Sequence, residues 1–365
     1  MKKIAIITWN TYHNFGTFLQ AYALQQYLYA LGYENKILDD HIIIGNNVNW
    51  KFKIKKILWA LSRKSYRIYA RSSYNSDKLF DNFKKEYLNT DNNIMPLIDL
   101  DKKYDIFICG SDQIWNPFLL ENPKQTFYYA AFSKKKKIAY APSIGVSDIP
   151  SQYKEKVRTL ISSFCNLSLR EDQGVESISK IVPKEVIKVV DPTLLLSREE
   201  WEKILPKNTN TEKYVLGYFL TPNTLYINAT IAYAKRKSLK FKLFFTDESY
   251  LKYDCDLISA GPIEFLNNIK YAEFLFTDSF HGSIFAKIFH IQFFTLKRFG
   301  NIEKGQDSRV ENLLDLFGLR YRLIENENIK DLVDSPNIDF EKVDYNVSRY
   351  INESKKYLKG GLKEL

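Results

Sequence analysis

The sequence predicts an α/β protein of two domains that face each other across a cleft. Three observations carry this expectation. The chain has 365 residues, too many for one ordinary core and suited to two domains. Apolar runs of strand length alternate with stretches of helical spacing along most of it, the pattern of parallel sheets wound with helices. A charged stretch from Ser197 to Asn210, irregular apart from Trp201, interrupts that alternation and marks a boundary. The expected units are residues 1–196, carrying a basic insertion at about 46–80, then residues 211–335, then a polar amphipathic helix within 340–365.

The first unit opens with the strand Lys3 to Thr8 and a loop from Trp9 to Gly16. In the helix that follows, Phe18, Ala21, Leu24, Leu28 and Leu31 keep helical spacing and Gly32 ends the run. A strand at Lys36 to Leu38 completes a parallel βαβ unit. Tyr104 to Cys109 reads as a buried strand ending in Gly110, Ser111 and Asp112. Strands at Ile138 to Ala141, Asn166 to Leu169 and Val186 to Val190 end in Pro142 and Ser143, in Arg170 and Glu171, and in Asp191. In a parallel sheet such ends share one rim, where α/β proteins hold ligands, so Ser111, Asp112, Ser143, Arg170 and Asp191 are expected to converge. Asn14 and Gly16 occupy the same rim after the first strand, either as ligand contacts or as turn residues.

The second unit repeats the pattern: a strand from Tyr214, a helix from Asn223 to Lys237, a strand Phe241 to Phe245 and a helix Ile263 to Ile269. Then comes FLFTDSFHGSIFAKIFHIQFFTL, residues 274–296, read as strand, loop, helix and strand. His281 stands where a buried strand hands over to a helix, beside Ser279 and Gly282. The first turn of a helix has unsatisfied N–H groups and a positive dipole end, so the junction suits an anion and an acid–base imidazole. A capping or supporting role for His281 is the alternative. Arg309 precedes the apolar stripe Val310, Leu313, Leu314 and Phe317, as an anion ligand or a helix cap. Arg170 can grip a carboxylate or phosphate with its planar fork, or pair structurally with Glu171 or Asp172.

Composition narrows the chemistry. Three distant cysteines and four unpaired histidines give no disulfide framework and no familiar metal spacing, so no metal is expected. Two Asp-x-Asp triplets, at 99–101 and 254–256, are too cheap a pattern to alter that. The chain opens on a strand without a signal-peptide pattern and has no run of membrane-spanning length, which points to a cytoplasmic location, or a peripheral one at the inner face of a membrane. The net charge of +10 is partly gathered between Asp40 and Asp77, a span without acidic residues. There, over 51–71, lysines and arginines alternate with aromatic and aliphatic residues. An interfacial helix on anionic lipid, a nucleic-acid arm and a solvated helical insertion all fit this composition.

Seven segments in order, NFGTFLQAYALQ (14–25), GSDQIWNP (110–117), APSIG (141–145), SLREDQG (168–174), DPTLL (191–195), TDSFHG (277–282) and DSRVENLLDLFGL (307–319), resemble the polysaccharide pyruvyl transferase family. The resemblance implies two Rossmann-like domains in a GT-B-like arrangement. It implies transfer of pyruvate from phosphoenolpyruvate, as a ketal, to a sugar of a cell-surface glycan or its lipid-linked precursor. In that setting Arg170, Arg309 and the helix after His281 would hold the donor's phosphate and carboxylate, with Asn14, Gly16, Ser111, Ser143, Ser279 and Gly282 around the substrates. His281 would move protons, and Asp112 would serve as the complementary base or as a sugar ligand. No cofactor is called for beyond phosphoenolpyruvate as donor. A GT-B nucleotide-sugar glycosyltransferase would share the cleft and a basic diphosphate site. A nucleic-acid-binding protein is the weakest alternative, and nucleic acid is not an expected partner, because the basic segment lies apart from the rim motifs.

Overall fold

In a computed structural model of the chain, residues 2–40, 59, 63–92, 95–207, 212–298, 305–324 and 335–363 are described. The first unit runs β1 (Lys3–Ile7), α1 (Phe15–Ala30), β2 (Glu34–Leu38), α2 (Lys64–Tyr87), β3 (Thr90–Asp91), α3 (Leu97–Lys103), β4 (Ile106–Cys109), β5 (Lys136–Ala139), α4 (Ser151–Ile161), β6 (Leu167–Leu169), α5 (Asp172–Ser179), β7 (Val186–Lys188) and α6 (Arg198–Glu202). Its sheet is parallel in the order β3-β2-β1-β4-β5. A bridge between Ile138 and Asn166 carries it on to the parallel pair β6-β7. The second unit runs β8 (Tyr214–Tyr218), α7 (Thr224–Arg236), β9 (Lys240–Phe244), β10 (Asp256–Ile258), α8 (Pro262–Lys270), β11 (Phe274–Thr277), α9 (Phe280–Phe289), β12 (Gln292–Leu296), α10 (Gly305–Phe317), β13 (Leu323–Ile324) and α11 (Phe340–Lys363). Its parallel order is β10-β9-β8-β11-β12-β13. In both sheets the strand order reverses beside the first strand. Crevices therefore open at the carboxyl ends of β1 and β4 and of β8 and β11.

Helix α1 explains why the two sheets are held together. It is mostly apolar, and Phe15 through Gln25 are buried without a break, Thr17, Gln20 and Gln25 included. A helix of that kind must be covered on every side. One side meets its own sheet; the other receives the second unit, where Phe15 stacks on Phe265 at 4.4 Å between ring centroids and packs edge-on to Tyr218. One apolar cluster consequently spans both units, from Ile4 and Phe18 to Phe285 and Phe289. Only half of this was visible in the apolar stripe of the sequence.

The stretch read as irregular between Ser197 and Asn210 instead contains α6. Ser197 and Glu200 form a reciprocal capping box that starts the helix, and Trp201, fully buried, packs on Tyr22 of the first unit and Phe285 of the second. The described part of the basic insertion forms most of α2, which straddles the two units. Lys84 reaches Asn10 and Asp39 on one side, while Ser65 bonds Glu248 and Tyr69 bonds the Thr246 carbonyl on the other. Residues 51–58 and 60–62 of the basic stretch lie outside the described residues. The last helix, α11, returns to the first unit: Ser354 accepts from the Val190 amide and Tyr357 donates to the Ala139 carbonyl. Among the described residues no helix is long and apolar enough to cross a membrane.

Candidate active site

The segment TDSFHG at residues 277–282 is organised by its own side chains. Thr277, ending β11, donates to the Tyr218 carbonyl and accepts from the Ser279 amide. Asp278 accepts from the Leu220 and Thr221 amides at 2.6 and 3.0 Å, fixing the loop after β8. Burial pushes the Asp278 carboxyl above its usual range, while Arg298 and those amides act in the opposite sense. Ser279 caps α9 by accepting from the Gly282 amide at 3.2 Å. A Cβ on Gly282 would fall 2.7 Å from Thr277 Oγ1, so the turn needs glycine there. The result is a rigid junction that leaves His281 in the first turn of α9, next to the positive end of the helix.

His281 crosses to the first unit. A Cβ on Gly16 would lie 1.9 Å from its Nδ1, so the imidazole rests against the bare backbone of α1's first turn. That turn is capped by Asn14, whose Oδ1 accepts from the Thr17 amide. Two helix N-termini, α1 and α9, thus meet at this imidazole. Its Nε2 is 3.5 Å from Asp191 Oδ2, an ion-pair distance too long for a formed hydrogen bond, and it has no other partner among the described residues.

Asp191 belongs to a buried charge cluster. Its Oδ2 accepts from Arg170 Nη1 at 2.8 Å, and its Oδ1 accepts from the Thr193 amide and hydroxyl. Burial opposes the charge of Asp191, but His281 and Arg170 outweigh that and hold the carboxyl well below the usual carboxylate range. Arg170 also donates through Nε to Glu171 at 2.9 Å, and its Nη2 lies 3.5 Å from Asp112. Burial again disfavours the cation, and Glu171, Asp191 and Asp112 more than offset it, so the Arg170 pKa lies above the ordinary arginine value. Asp112 sits in the left-handed region at φ 68° and accepts from Thr17 Oγ1 and the Gln113 amide.

These groups bound a cleft of about 290 Å³ between the two units. Of the residues expected from the sequence, Asn14, Asp112, Ser279, His281 and Arg309 line it. Four do not. Arg170 has a side chain only 1% exposed and lies behind the wall, among Glu171, Asp191 and Asp112. Ser111 is fully buried and donates to the Ala141 carbonyl; Ser143 is fully buried and caps its own turn through the Gly145 amide. Both hold the rim rather than form its surface. Gly282 holds the α9 turn.

Arg298, Thr17, Gln113, Tyr12 and Trp9 also line the cleft and were not singled out in the sequence. Arg298 lies just past β12, so the strand-end argument applied to Arg170 would have found it. The Gln113 amide, with its oxygen toward the guanidinium, accepts from Arg309 Nη1 and Nη2, both at 2.6 Å. Arg309 meets no carboxylate at ion-pair distance among the described residues. Burial and then the nearby Arg170 cation pull its pKa down to about 10. A guanidinium in that condition favours an incoming anion. The cleft therefore offers two arginines, two helix N-termini, a histidine backed by a carboxylate and one further carboxylate.

A sequence profile described as polysaccharide pyruvyl transferase matches residues 14–298, most of the chain. Among curated proteins no relative is found by sequence. Of solved structures, the UDP-GlcNAc 2-epimerase of Methanocaldococcus jannaschii, in complex with UDP-GlcNAc and UDP, is similar at a TM-score of 0.53 and 14% identity, covering 99% of both chains. The S. aureus MnaA–UDP structure is similar at a TM-score of 0.52 and 13% identity, covering 100% of this chain and 96% of the other. At such identities the likeness establishes the fold, which is GT-B-like with two Rossmann-wound domains.

Proposed function

The chain belongs to the polysaccharide pyruvyl transferase family, and on that premise we propose that it draws pyruvate from phosphoenolpyruvate and sets it as a ketal on a sugar of a cell-surface glycan or its lipid-linked precursor. The observation that carries the proposal is the His281–Asp191 pair, 3.5 Å apart, joining the two domains beside Arg309 and Arg298 in one cleft.

The chemistry requires a proton at the donor's methylene carbon, attack by one sugar hydroxyl on the cationic carbon so formed, loss of phosphate with its C–O electron pair, and closure by a second hydroxyl. One hydroxyl proton balances the new methyl group; the other leaves with phosphate. Arg309, Arg298 and the N-terminus of α9 hold the donor's anionic groups. His281 moves protons between hydroxyl and carbon, and Asp191 stabilises its imidazolium from the far side. Asp112 acts from the opposite wall as base or as hydroxyl ligand. Arg170 is a positioning residue that fixes both Asp112 and Asp191.

Incubation with phosphoenolpyruvate and a panel of simple and lipid-linked pyranosides tests this. Phosphate release together with a ketal methyl signal by NMR is expected; neither appearing with any acceptor would overturn it. Nucleotide-sugar transfer is the competing reading, since the cationic cleft also suits a diphosphate. Thermal stabilisation by UDP-sugars and not by phosphoenolpyruvate would favour it.

A lipid-linked acceptor would also bring the protein to a membrane face. Lys64, Arg67 and Arg71 are exposed at the start of α2. Co-sedimentation with anionic but not neutral vesicles is expected; equal recovery with both would remove this contact.

A further inference from the structure

A second cavity, of about 350 Å³, opens beside the catalytic cleft, and Tyr12, Asn14 and Leu220 line both. We infer that this cavity is the subsite for the acceptor's sugar ring, a deepening that rests on the pyruvyl transfer reading. Its walls come from the start of α1, the middle of α2 and the ends of β8, β9 and β10, so it also lies between the two domains.

Its chemistry is the reverse of the cleft's. No lysine or arginine is among its described lining residues, whereas Arg298 and Arg309 line the cleft. The walls are aromatic: Tyr12, 67% exposed, lines both spaces, and Tyr69 and Phe245 also line this one. A pyranose has an apolar C–H face and a rim of hydroxyls. It is matched by flat rings together with a small number of fixed polar groups.

Asp77 supplies such a group. Its carboxylate is half exposed and is held by His13 Nδ1 at 2.8 Å. His13 in turn stacks on Phe80 at 5.1 Å, 12° from parallel, and its Nε2 faces Asp81 at 3.4 Å. Both ring nitrogens are thus turned to carboxylates. His13 is accordingly an anchor rather than a base, and the carboxylate it orients keeps lone pairs for sugar hydroxyls. The donor is an anion and the acceptor ring a neutral polyol, so adjoining cationic and aromatic spaces sort the two without competition.

The test uses p-nitrophenyl pyranosides and the full chain without phosphoenolpyruvate, read by saturation-transfer NMR. Transfer to the sugar C–H protons of at least one pyranoside is expected. Asp77→Asn and Tyr12→Ala should each weaken that binding at least tenfold, and Asp77→Asn should leave the dissociation constant for phosphoenolpyruvate within twofold. Tyr12 lies in an exposed loop, so its variant remains informative if Asp77→Asn unfolds. Unchanged pyranoside binding in the folded variants, or no pyranoside bound by the wild type, overturns the subsite. Sugar binding lost in the variants, with no phosphate released from phosphoenolpyruvate by the wild type, would leave the subsite standing and remove the transfer reaction.

Discussion

The two walls of the cleft carry arginines in opposite conditions. Behind the first domain's wall, Arg170 is sealed at 1% exposure among Glu171, Asp191 and Asp112. On the second domain's wall, Arg309 meets a neutral amide, and its pKa is pulled down to about 10 by burial and by Arg170 itself. The same side chain type therefore does two jobs. A guanidinium already surrounded by carboxylates has little electrostatic attraction left for a ligand, and its worth is in fixing the geometry of those carboxylates. One held in a burial-penalised state without a carboxylate gains from any anion that arrives. On the proposed reading the first wall is a frame, and the second is a binding surface whose histidine borrows its carboxylate from the frame.

Removing the group that joins the walls should have the largest effect. His281→Ala is expected to lower kcat about 10²–10⁴-fold, the range for losing an acid–base group, without lowering the thermal midpoint; near-normal phosphate release would show that the pair is structural. Next comes the frame. Arg170→Met should lower stability by about 3–5 kcal/mol, because it leaves buried carboxylates unpaired, as read by denaturant unfolding. A raised phosphoenolpyruvate KM with unchanged stability would instead place Arg170 on the binding surface and dissolve the contrast.

Gly16→Ala puts a methyl into the seat of the imidazole. It should cut kcat roughly 10²-fold through misplacement with little change in donor KM, and an unaltered kcat would mean that His281 adapts freely. The binding wall gives the smallest effect. Arg309→Gln removes charge-assisted bonds of about 1.5–3 kcal/mol and should raise donor KM roughly tenfold to a hundredfold while stability holds or rises. Arg309 is a cation below its folded pKa of about 10 and neutral above it. Donor affinity in the wild type should accordingly fall as the pH rises through about 10. The strain of the buried cation is present below that pH and relieved above. The same pH profile in Arg309→Gln as in the wild type would assign the titration elsewhere.

Much of this site was legible one strand end at a time. The handover from Phe276 to His281, the polar ends after Cys109 and Leu169, and the closing Gly32 each follow from short-range apolar periodicity and turn chemistry, which are local properties. Strand-end reasoning brings Ser111, Asp112, Ser143, Arg170 and Asp191 to one rim but cannot tell exposed from buried, and Ser111 and Ser143 lie wholly inside. The basic, aromatic insertion is illegible for another reason. Its composition fits a solvated face, lipid or, least, nucleic acid, whereas the described helix uses Ser65, Tyr69 and Lys84 to tie one domain to the other.

By itself the sequence determined that the chain forms two parallel α/β units, that a histidine stands at the start of a helix in the second, and to which family the ordered motifs point. Periodicity, capping and motif order are written along the chain and need no partner. Only the tertiary structure decided that Asp191, ninety positions away, stands behind that histidine, that Gly16 is its seat, and that of two rim arginines one is locked and the other open. Those are matters of which groups share a small volume and how much charge surrounds them, and both depend on two domains closing on α1.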